Sequence, residues 1–142
     1  LEVDVHHLLI AALIGIFFID LPARTAQKSA PEQADISRSG RDFLEVCSSA
    51  DRGGNQDGET IQRNATCLGW VQGFTDGFLV HEELLSVPRR DRMACVPRGV
   101  TTLQVVHVIR KYLAENPAKA HRPTRYVASI ALAGAFPCRA GK

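Results

Sequence analysis

Four cysteines, Cys47, Cys67, Cys95 and Cys138, are the residues of this chain best suited to chemistry, and their spacing limits which chemistry that is. No C-x-x-C pair occurs and the cysteines are not clustered with histidines, so a zinc site is poorly supported. An even number of cysteines in a chain exported before it folds points to two disulfides, with free buried thiols as the alternative. The segment from His81 to Leu85 opens like a zinc-protease motif, but Leu85 stands where a second histidine must be. One imidazole cannot replace two at i and i+4, which leaves a charged helix face. His107 lies among valines and reads as a packing or surface residue. Asp42, Glu45, Asp76, Glu82 and Glu83 offer carboxylates, yet nothing in their spacing makes a pair converge on a cleft. There is no G-x-S-x-G, no P-loop and no G-x-G-x-x-G. Asn64-Ala65-Thr66 matches a glycosylation acceptor but falls inside an expected helix beside a cysteine, and is discounted. No catalytic set, metal site or cofactor is expected.

The compartment follows from the N-terminus. Leu8 to Ile19 is a run of twelve apolar residues, long enough for a signal-peptide core and short of the roughly 20 needed to cross a bilayer. Small residues from Ala23 to Ala30 could border a cleavage site. Glu2 and Asp4 precede the run where basic residues are usual, and a buried helix of the folded domain is the alternative. The expected organisation is a leader at 1–26, a flexible mature N-terminus at 27–39, a helical domain at 40–138 and a tail at 139–142. The net charge of +2 becomes about +4 once the leader is removed, well short of the clustered charge of a nucleic-acid binder. One Trp and two Tyr are too few for base-stacking platforms.

Four helices position the cysteines. The first is expected over about Gly40–Ala50, with Phe43, Cys47 and Ala50 on one face. Asp51 to Gly58 is a loop by its turn chemistry. A long helix follows from about Glu59 to Leu85, its apolar stripe running through Cys67, Val71, Phe74 and Phe78, and Pro88 stops it. Within it, Gly69, Gly73 and Gly77 recur every four residues, at a cost of about 0.8–1 kcal/mol each relative to Ala. They allow another backbone to approach closely, either in a second subunit or, as the favoured expectation, in internal helix packing. A third helix opens at Thr101-Thr-Leu-Gln104, a capping box, and ends at Asn116-Pro117. The β-branched cluster Val105, Val106, Val108, Ile109 makes a strand the local alternative. A fourth helix runs from about Pro123 to Ala135, with Val127, Ile130, Ala131 and Gly134 facing inward. The fold class is a small all-α four-helix bundle tied by two disulfides.

Helices three and four share a short connection and should be antiparallel. Cys95, before the one, and Cys138, after the other, then meet at one end and leave Cys47 to pair with Cys67. Four cysteines allow three pairings, and this is the expected one.

The ordered set Phe43-Leu-Glu-Val-Cys47, Cys67-Leu-Gly-Trp-Val-Gln-Gly73, Cys95-Val-Pro97, Val100-Thr-Thr-Leu-Gln104, Tyr112-Leu-Ala-Glu-Asn-Pro117 and Ala135-Phe-Pro-Cys138 resembles the Rap1a/Tai family of type VI secretion immunity proteins. The resemblance covers about residues 40–138. It implies a small, disulfide-containing, all-helical periplasmic protein, a homodimer in some members, that binds and blocks a peptidoglycan-cleaving amidase effector. A protein without catalytic groups inhibits by occupying space, and a rigid loop does so at little ordering cost. The expected contact surfaces are the basic loop Arg89, Arg90, Arg92 and Met93, and the glycine-rich loop Asp51–Gly58, each with an ordinary solvated connection as its alternative. A periplasmic acid-stress chaperone, or an orphan binding domain, is the competing class; holdase activity at low pH separates a chaperone from a stoichiometric inhibitor.

Overall fold

A computed structural model describes residues 34–138; the expected leader, residues 27–33 and the tail from 139 lie outside the described residues. Among the described residues there are four α-helices, α1 (Gly40–Val46), α2 (Gly58–Leu84), α3 (Thr102–Glu115) and α4 (Thr124–Ala135), with 3-10 turns at Arg89–Asp91 and Pro117–Lys119. No strand occurs among the described residues, so the β-branched cluster on α3 is helical. The bridges are Cys47–Cys67 and Cys95–Cys138, with Cα separations of 5.2 and 5.0 Å.

Local signals explain the boundaries. The Asp57 carboxylate caps α2 by accepting the Thr60 N–H at 2.7 Å. At α3 both halves of the capping box form: the Thr101 hydroxyl accepts from the Gln104 N–H at 3.2 Å, and Gln104 Oε1 accepts from the Thr101 N–H at 2.8 Å. The third-helix expectation is met within one residue at each end. α1 is shorter than expected, ending at Val46 rather than Ala50. There the chain leaves its helical course because Cys47 is tied to α2, and buried Ser49 donates its hydroxyl to Asn64 Oδ1 on α2 at 2.8 Å.

Phe43, Val71, Val105, Val106, Ile109, Leu113, Val127 and Leu132 are almost wholly buried and form the core between the four helices. α3 and α4 pack on each other most extensively, as an antiparallel hairpin closed by Cys95–Cys138. On α4, Ala128 and Leu132 are buried, whereas Gly134, expected inward, is exposed, because the buried face runs through Val127 and Ala131.

The segment from residue 34 to 39, expected to be a loose tail, is docked instead. Ile36 is buried, and its carbonyl accepts the Thr124 hydroxyl. The Gly40 and Arg41 amides donate to the Arg122 and Ala120 carbonyls, both at 2.9 Å. Gly40 sits so close to the α3–α4 connection that a Cβ would lie 2.7 Å from Leu113 Cδ2 and 3.3 Å from the Ala120 carbonyl oxygen. Any larger residue there requires the buried Leu113 side chain to shift.

The expectation of internal packing at Gly69, Gly73 and Gly77 is overturned. All three are exposed, and a Cβ at any of them would meet nothing within 4 Å among the described residues. The face of α2 that packs inward is set by Cys67 and Val71, and the glycines point away from it.

Candidate functional site: the α2–α3 connection

The connection from Leu85 to Val100 begins on the last turn of α2, and that turn closes with a Schellman motif. The Ser86 N–H donates to the Glu83 carbonyl at 3.0 Å and the Val87 N–H to the Glu82 carbonyl at 2.9 Å. This geometry needs a left-handed residue at the position occupied by Ser86, whose φ is +49°. Glycine is the usual occupant, so Ser86 carries backbone strain. Pro88 then starts the single turn Arg89–Asp91.

Glu82 organises the connection. It lies within the expected charged face of α2, yet it is 5% exposed, while His81 and Glu83 on either side are exposed. Its Oε1 accepts the Met93 N–H at 3.2 Å, and its Oε2 lies 3.9 Å from Arg92 Nε. Arg92 Nε in turn donates to the Val87 carbonyl at 3.0 Å. The backbone of Glu82 therefore holds the start of the connection and its side chain the end, with Arg92 bridging between. Further on, the Cys95 N–H donates to the Phe136 carbonyl at 2.8 Å beside the Cys95–Cys138 bridge, which anchors the connection to the end of α4.

These contacts sort the four residues expected at this surface. Arg92 is turned inward as a clamp. Arg89 and Arg90 are exposed; Arg90 has only Asp91, 3.6 Å away and itself exposed, as an ionic partner. Met93 is 46% exposed, and Leu84 and Leu85 are 78% and 65% exposed. The result is a pinned projection with two exposed guanidiniums, Arg89 and Arg90, and an apolar patch beside them. Sequence spacing missed Glu82; its position four residues before Ser86 gave no sign that the helix end would fold back over it.

The glycine-rich loop, the other expected surface, sits at the start of α2. Twenty-seven helical residues separate the two loops, about 40 Å at 1.5 Å per residue, so they do not form one site. That loop is tied down: Arg110 Nη1 pairs with Asp51 Oδ2 at 3.2 Å, and Asn64 Nδ2 donates to Gln56 Oε1 at 2.8 Å. The Asp51 carboxyl is held below its ordinary value by its own backbone amide and then by Arg110. At the cap of α2, the Thr60 amide does the same for Asp57.

No group of three residues able to hold a metal occurs among the described residues, and all four cysteines are bridged. No helix among the described residues is long and apolar enough to cross a membrane. Among known proteins, no curated protein and no solved structure matches the chain. A family model does match, that of the Rap1a immunity proteins, over residues 39–138. Those residues take in all four helices, both bridges and the α2–α3 connection, and the chain belongs to the Rap1a family of immunity proteins.

Proposed function

We propose that this immunity protein is exported to the periplasm and there binds and sterically blocks a peptidoglycan-cleaving amidase effector delivered by type VI secretion. The family supports an immunity role with a protein effector as partner. Two disulfides suit an oxidising compartment, and the apolar run at Leu8–Ile19 suits export. The protein acts as an inhibitor and not as an enzyme.

The observation that carries the choice of surface is the way Glu82 and Arg92 pin the α2–α3 connection at both ends while Arg89, Arg90 and Met93 face outward. A loop already fixed in one shape loses little conformational freedom on binding, so its contacts convert more fully into affinity. Arginine with an adjoining apolar side chain is also the composition favoured at the energetic centre of interfaces. The experiment is a binding titration of the oxidised protein against a verified cognate effector, wild type beside an Arg89→Ala/Arg90→Ala variant. Weaker binding with an unchanged melting temperature supports the surface; equal affinity removes it.

A further inference from the structure

At the end of the bundle opposite the Cys95–Cys138 bridge, two short segments lie bonded side by side. The Gly40 and Arg41 amides donate to the Arg122 and Ala120 carbonyls, and the Thr124 amide donates to the Ser37 carbonyl at 3.3 Å. This pairing brings Arg38 and Arg41 beside Lys119, Arg122 and Arg125, all five exposed. Among the described residues only Arg38 of the five has an ionic partner, Asp42 at 3.1 Å. The other acids nearby are engaged or out of reach. Asp35 accepts the Ser37 hydroxyl at 2.7 Å, Glu115 pairs with Lys111 at 3.8 Å, and Glu45, one turn on from Arg41, makes no ion pair with it. No Asp or Glu follows Glu115 in the chain. Residues 34–45 and 116–126 hold five Lys and Arg against three Asp and Glu, while the remaining described residues hold eight of each. The whole positive excess of the described domain therefore sits at this end. α4 starts there with no side-chain cap and no acid in its first turn, where Arg125 stands instead. Cations at a helix N-terminus oppose the macrodipole, so folding by itself disfavours this arrangement.

We infer that this end of the bundle docks on an anionic phospholipid bilayer, held by attraction between the five cations and the lipid phosphates. Three observations favour a bilayer over a small anion or a protein surface. First, the cations are spread as exposed side chains and no buried polar group is aimed between them. Thr124, the buried polar residue of this end, spends its hydroxyl on the Ile36 carbonyl. Such an array suits a plane of charge better than a single phosphate. Second, Tyr126 is 46% exposed with the Arg122 guanidinium 5.8 Å from its ring centroid. An amphipathic ring beside a cation is the composition favoured where apolar tails meet wet headgroups. Third, only fourteen residues separate Ile19, the end of the apolar run, from Ala34. On the export reading above, a chain of that length tethers this end within about 50 Å of the membrane while the leader is attached. The α2–α3 connection is anchored beside the far end of α4, twelve residues or about 18 Å away, so docking leaves it facing the periplasm.

Vesicle co-sedimentation of the oxidised protein tests this without an effector and without export, so its failure is separate from a failure of the inhibitory reading. The buried core and both bridges lie within residues 36–138, so the protein is used without residues 1–26, whose apolar run would itself enter lipid. Vesicles of phosphatidylglycerol with phosphatidylcholine should bind it, and phosphatidylcholine alone should not. High salt should release it. Each cation near an anionic bilayer raises partition about fivefold, so Arg41→Gln/Arg122→Gln/Arg125→Gln should lower binding about a hundredfold. The melting temperature should not fall, because Arg41 and Arg122 join the two segments through backbone atoms. Arg52→Gln/Arg98→Gln/Lys111→Gln removes the same charge from other faces and should keep most of the binding. Equal partition onto neutral and anionic vesicles, or a control variant that loses as much as the patch variant, would overturn the inference. So would release by millimolar phosphate at matched ionic strength, which would assign the patch to a discrete phosphate. No vesicle binding, with weaker effector binding by the patch variant, would overturn it too and give the patch to the effector.

Discussion

The carboxylate of Glu82 accepts the backbone N–H of Met93 at 3.2 Å, so a side chain on the last turn of α2 fixes the far end of the connection that leaves that helix. The same residue's carbonyl accepts the Val87 N–H at 2.9 Å and fixes the near end. Eleven residues of sequence separation are thereby closed by one residue, and of the three arginines between the anchor points Arg92 is bound inward while Arg89 and Arg90 are presented outward.

Glu82→Ala removes the acceptor for the Met93 amide and should destabilise the fold by about 1–2 kcal/mol in urea denaturation. Glu82→Gln retains an acceptor oxygen at the same place and should cost less. Hydrogen exchange resolves the two: the Met93 amide should lose protection in the alanine variant and keep most of it in the glutamine variant.

Ser86 occupies a left-handed position, φ +49°, that glycine adopts without penalty. Ser86→Gly should therefore raise stability by about 1 kcal/mol, shifting the urea midpoint upward with an unchanged slope. A lower midpoint would mean that the Schellman turn contributes less strain than its geometry implies.

The two bridges close loops of different length, with separations of 20 and 43 residues. In the chain-entropy treatment the first contributes about 3 kcal/mol and the second about 4. Cys95→Ser/Cys138→Ser should therefore be the more destabilising pair. It should also raise exchange in the α2–α3 connection, because Cys95 anchors its end to α4.

Acid should weaken the fold through its helix caps. The Ser39 hydroxyl holds the Asp42 carboxyl below its ordinary value, with desolvation opposing and Arg38 assisting, and the Thr60 amide holds Asp57 down likewise. A carboxyl with a depressed folded pKa contributes stability that is fully present above its unfolded value, about 3.9, and is lost as pH falls through the folded value. The urea midpoint should thus be level from neutrality to about pH 5 and decline below about pH 4. Asp57→Asn, which keeps a capping oxygen but has no charge to lose, should flatten the decline.

Much of the scaffold was legible because its signals are local. The Thr101–Gln104 capping box, the stops at Pro88 and Pro117, and the Cys95–Cys138 closure of the α3–α4 hairpin all depend on residues near one another in sequence or on one short connection. The early end of α1 was not legible, since it depends on Ser49 reaching Asn64 across a loop. Nor was the docking of Ile36, whose carbonyl bonds to Thr124 near the other end of the chain. Glu82 and Arg92 escaped for the same reason. Charged residues in a helical repeat read as solvated until a following segment folds back and buries them, and nothing in their spacing announces the fold-back. The glycine strip was read as internal packing and is exposed instead, because the face α2 turns inward is the one that Cys67 and Val71 carry into the core.

Inhibition through the α2–α3 connection is tested most directly by peptidoglycan hydrolysis by a verified cognate amidase effector, titrated with the oxidised protein and with its Arg89→Ala/Arg90→Ala variant. Expected is stoichiometric loss of hydrolysis with the wild type, and a variant that melts at the same temperature but needs about tenfold more protein for the same loss. Equal inhibition by the two, or full hydrolysis in the presence of excess wild type, would contradict it.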